Sequence, residues 1–82
     1  MPSPQEHFYD AMIHIRRLKK DLDRTEAQGC PTPAQAKDLG QIQGEALSNT
    51  RGAMGFPLYE EASQRYMAQA IRLGKLIDRC RR

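Results

Sequence analysis

The sequence predicts an all-α fold: a three-helix antiparallel bundle, or a helical hairpin joined by a third long helix. Apolar residues recur at steps of three and four in three stretches, and no stretch alternates as a strand would. Two similar start signals, Ser3-Pro4-Gln5-Glu6 and Thr32-Pro33-Ala34-Gln35, each put a capping hydroxyl before a proline and a capping-box partner three residues on. Two breaks, Gly29-Cys30-Pro31 and Gly55-Phe56-Pro57, cut the chain into three segments.

The first segment predicts a helix over residues 4–28, with Phe8, Ala11, Met12, Ile15, Leu18 and Leu22 on one face. The second predicts a helix over 33–53 with a thinner face, Leu39, Ile42, Ala46, Leu47, Ala53 and Met54. Beside it runs a stripe of small residues four apart: Ala36, Gly40, Gly44, Ser48 and Gly52. Each internal glycine costs a helix about 1 kcal/mol relative to alanine, so the stripe calls for a compensation. The expected one is close approach of another helix, with Gly40, Gly44 and Ser48 as the packing groove. The third segment predicts a helix over 57–80, with Glu60 and Glu61 at its start and Arg79, Arg81 and Arg82 at its end, charges that suit the helix dipole. Its inward face is Leu58, Ala62, Tyr66, Ala70, Leu73, Leu76 or Ile77, and Cys80.

Eighty-two residues with 39% hydrophobic and 28% charged content make one helical domain, residues 1–82, too apolar for a disordered tail. A chain this short buries only about 60% of its unfolded surface. With few large apolar residues on helix two, the expectation is that it gains burial by associating, as a homodimer or larger, or on another protein. No apolar run spans a bilayer, and Met1 to Glu6 lack the basic start and apolar run of a secretion signal, so the expected location is cytoplasmic, without a membrane partner. Cys30 and Cys80 are too few for a disulfide scaffold and lack zinc or redox spacing; two free thiols are expected in a reducing cytosol, a disulfide being the lesser alternative.

Short connections run the helices up, down, up. One end then gathers Phe8, Tyr9, Phe56 and Tyr59, read either as closing core or as a partner-binding patch. The other gathers Lys19, Lys20, Arg24, Lys75 and Arg79 together with Arg81 and Arg82, read as a solvated surface or, through the first five, an anion-binding one, diluted by Asp21, Asp23 and Asp78. A net charge of +3 permits an anionic partner without requiring one. Helix two, with only Lys37 and Arg51 for side chains that reach DNA, is a poor recognition helix. His7, Asp10 and His14 share a helical side, but no fourth ligand accompanies them; surface polar residues are expected, and no metal.

Catalysis finds no support in the sequence. The histidines fall at one end and the cysteines at the other, and neither a phosphate loop nor a dinucleotide fingerprint is present. The expected function is therefore non-enzymatic, without cofactors: a small regulator, adaptor or inhibitor acting by protein–protein association. The alternative is a binder of nucleic acid or a phosphorylated nucleotide at the basic end.

Overall fold

The computed structural model of the chain describes residues 1–81, so Arg82, counted above with the basic end, lies outside the described residues. Its three helices are α1 (Pro4–Gln28), α2 (Pro33–Gly52) and α3 (Tyr59–Cys80), and no strand occurs among the described residues. Both predicted capping boxes form. Ser3 Oγ accepts from the Glu6 amide at 3.2 Å and Thr32 Oγ1 from the Gln35 amide at 3.1 Å, while Glu6 and Gln35 reach back to the cap amides. Gly29, at φ 120°, ends α1 in a conformation that side-chain-bearing residues rarely adopt, its amide donating to the Thr25 carbonyl at 3.0 Å.

The α2–α3 connection is longer than the sequence predicted. α2 ends at Gly52 rather than residue 53, and α3 starts at Tyr59 rather than 57. Gly55 has φ 94°, and turn bonds from Phe56 to the Ala53 carbonyl (3.0 Å) and from Tyr59 to the Phe56 carbonyl (2.9 Å) carry the chain around the corner. No side chain caps α3, whose N-cap is Leu58, so nothing draws the helix back to Pro57.

The core has two layers. Phe8, Ala11, Met12, Ile15, Ala46, Ala53 and Ala62 fill the layer near the α2–α3 turn. Leu18, Leu22, Leu39, Ile42, Leu73 and Leu76 fill the other. All six positions read on the α1 face are buried. Of the other predicted inward residues, Leu47, Tyr66, Ala70, Ile77 and Cys80 are half-buried, and two are exposed: Met54 at 64% and Leu58 at 47%, because both sit in the turn, where helical spacing no longer governs direction. The molecule is a rod of 40 × 20 × 17 Å. α1 and α2 share the most extensive contact, and α2 and α3 the least.

The free-thiol expectation is overturned. Cys30, in the α1–α2 turn, is bonded to Cys80, the last residue of α3, with Cα atoms 5.7 Å apart. The pairing follows from the up-down-up topology, which brings the start of α2 and the end of α3 to one end of the rod. Cys80 also packs against the second core layer, alongside Ile77.

Candidate functional site: the groove between α2 and α3

The weak α2–α3 contact leaves a cavity of about 410 Å³ between the two helices, open to solvent on one side. Leu73 and Ile77 supply apolar walls, while Gly40 from α2 and Ala70 and Gly74 from α3 keep it wide. Gln43, Asp78 and Arg81 add polar groups to its lining. Helical spacing carries the same α3 face outward to Met67 and Ile71, each 54% exposed.

The small-residue stripe of α2 is not a close-packed contact within the chain. A Cβ added at Gly40 or Gly44 would meet nothing within 4 Å, and Ser48 is exposed. The predicted packing groove exists as an open surface instead. The one close approach is at Gly52, where an added Cβ would lie 2.5 Å from the His7 ring.

That contact belongs to a polar seam between α1 and α2. His7 Nδ1 hydrogen-bonds Asn49 Oδ1 at 3.1 Å. His14 Nε2 lies 2.7 Å from the Glu45 carboxylate, and its Nδ1 bonds the Asp10 carbonyl at 2.7 Å. The two histidines, expected as surface groups with one Asp10–His14 contact, thus tie two helices together. No His/Cys/Asp/Glu group able to hold a metal occurs among the described residues.

The aromatic end forms as the topology predicts. Phe8 is buried, with its ring 5.1 Å from Phe56 and 5.5 Å from Tyr9, and Phe56 and Tyr59 pack half-buried on the first core layer. These rings mainly close the bundle. Tyr9, at 56% exposed, borders a smaller cavity of about 320 Å³ with Ile13, on the α1–α3 side.

At the other end the five predicted basic residues do not converge. Lys19 pairs with Asp23 at 3.2 Å and Arg24 with Asp21 at 3.8 Å. Lys20, Lys75 and Arg79 are exposed, and Arg24 shares a cavity of about 110 Å³ with Asp21 and Asp38. The best-engaged cation is Arg72, which the sequence reading passed over. It bridges α3 to α1 through Asp23 (2.5 Å) and Glu26. The hydrogen bonds it donates to Glu26, and then to Asp23, hold the Arg72 guanidinium above its ordinary pKa. Hydrogen bonds from Arg72 and Lys19 hold the Asp23 carboxyl below its usual range.

Gly74, which lines the groove, and Met67 and Ile71, which flank it, are residues that sequence reasoning missed, and Arg81 was read only with the basic end. A signal was present: Met67 and Ile71 fall off the buried stripe of α3 yet are large and apolar. No helix among the described residues is long and apolar enough to cross a membrane. No protein-family model, curated protein or solved structure matches the chain.

Proposed function

We propose that this chain is a small non-enzymatic helical protein acting by protein–protein association, as an adaptor or inhibitor, and that the α2–α3 groove is its docking surface. The observation that carries this reading is the groove itself. It is an open cavity of about 410 Å³ with Leu73 and Ile77 as walls, continued by the exposed Met67 and Ile71. Burying such apolar surface against a partner is favourable by about 25 cal/mol per Å². A helix seated there would convert three helices into a four-helix arrangement, with its anchors spaced at i, i+3 and i+4. The glycines of α2 then acquire a purpose, since they let a partner backbone approach.

The non-enzymatic reading is supported by how the histidines are used: His7 and His14 serve the α1–α2 seam, away from the groove. Anion binding through Lys19, Lys20, Arg24, Lys75 and Arg79 has less support, because two of the five are already paired with aspartates. The Cys30–Cys80 bond favours work in an oxidising compartment over the cytoplasm expected from the sequence.

The test is site-specific photo-crosslinking in the cells that make the protein, with the photoreactive residue at position 71 and, as control, at the exposed position 17. Protein adducts at 71 and none at 17 support the reading. No adducts at 71, or nucleic-acid adducts alone, overturn it.

A further inference from the structure

We propose that the groove's occupant is α3 of a second copy of this chain, lying antiparallel along the first; this rests on the docking-surface reading above. Two properties of the exposed α3 face make it complementary to its own reverse. A two-fold axis passing between Ala70 and Ile71 sets each large residue opposite a small one: Met67 meets Gly74 of the second copy, and Ile71 meets Ala70. Met67 and Ile71 are the exposed large side chains, and Ala70 and Gly74 line the cavity, so each copy supplies both the knob and the hole.

The same axis sets Glu60, in the first turn of α3, opposite Arg81, just beyond its last turn. Both are exposed, and neither has an ion-pair partner among the described residues. A parallel arrangement would stack Glu60 on Glu60 and Arg81 on Arg81, so charge selects the antiparallel one. Solvent-exposed pairs contribute little strength, and here they set direction while the apolar centre supplies the affinity. The empty space over Gly40 and Gly44 accommodates the incoming helix on the α2 side. The interface is isologous and closed, so it ends at two copies.

Sedimentation equilibrium of the disulfide-bonded protein tests this, with circular dichroism to confirm that each variant is helical. The wild type is expected to be a dimer at about 100 µM, a concentration that reveals all but the weakest dimers. Glu60→Arg and Arg81→Glu should each weaken dimerisation roughly tenfold or more, by placing like charges together. The double variant E60R/R81E should restore it, since the opposed pair is rebuilt with its signs exchanged. Ile71→Glu, at an exposed site that folding does not need, should give a monomer. A monomeric wild type, a dimer indifferent to all these substitutions, or a double variant no better than the singles would overturn the proposal. A monomer that still forms adducts with a different protein at position 71 overturns self-docking and leaves the broader reading standing.

Discussion

Gly44 and Gly52 stand eight residues apart on one stripe of α2, and the structure gives them opposite roles. Nothing lies within 4 Å of a Cβ added at Gly44, so Gly44→Ala should stabilise the fold by about 1 kcal/mol through helix propensity alone. At Gly52 the added methyl would meet the His7 ring at 2.5 Å, a ring fixed by Asn49, so Gly52→Ala should cost about 1–3 kcal/mol. Paired urea unfolding curves read both signs; equal shifts for the two variants would contradict the assignment. The sequence displayed the stripe but not this division. A four-residue spacing reports that glycines share a helix side, while only the crossing of α1 over α2 decides which of them meets a neighbour. The histidines were opaque for the same reason: their partners Asn49 and Glu45 come from another helix.

Arg72 adds a pH dependence. Asp23 has its folded pKa lowered, first by the hydrogen bond from Arg72, so its contribution is present above the unfolded carboxyl value. That contribution is lost as pH falls through the lower folded one. Arg72, shifted upward, keeps its charge throughout this range. Arg72→Gln should therefore lower the melting temperature near pH 6, and the gap from wild type should shrink toward pH 3. A gap of the same size at both pH values would show that the bridge does not act through Asp23.

Among the elements, α3 is the one whose attachment needs explaining. It has no side-chain cap, it shares less contact with each neighbour than α1 and α2 share with each other, and it is bonded to the rest at its far end by Cys30–Cys80. The cysteines lie 50 residues apart, and a crosslink across that span stabilises by roughly 2–4 kcal/mol, mostly by restricting the unfolded chain. Cys30→Ser with Cys80→Ser should thus lower the urea midpoint clearly, and added reductant should shift the wild type by the same amount. An unchanged midpoint would mean that packing of Ile77 and Leu76 alone holds the end of α3.

The helices themselves were legible in the residues: the Ser3 and Thr32 caps, the α1 stripe and the Gly29 stop all sit where local chemistry puts them. The α2–α3 corner was less so, because Pro57 resembles a first-turn proline while the bonds of Phe56 and Tyr59 extend the turn past it. The disulfide was only half legible: the topology brings Cys30 and Cys80 to one end, but their spacing and number carry no disulfide signature.

At the scale of the molecule, the rod has two apolar surfaces with different standing. The aromatic end is largely consumed by the core through Phe8 and Phe56, with Tyr9 remaining beside Ile13. The α2–α3 side is left open by the glycines of one helix and flanked by the exposed Met67 and Ile71 of the other. The expectation that this chain gains burial by associating came from counting the apolar residues of α2. The small-residue stripe pointed to the α2 side through Gly40, but the α3 side was not legible, because it depends on which two helices pack least tightly.

Gly74→Leu separates fold from association. Its side chain would fill the groove without striking any neighbour at Cβ, and leucine is the better helix former. The most direct measurement is the yield of protein adducts from a photoreactive residue at position 71, with and without Gly74→Leu. Adducts should be lost with Gly74→Leu while the melting temperature holds or rises. Adducts of equal yield in both backgrounds would contradict docking in the groove.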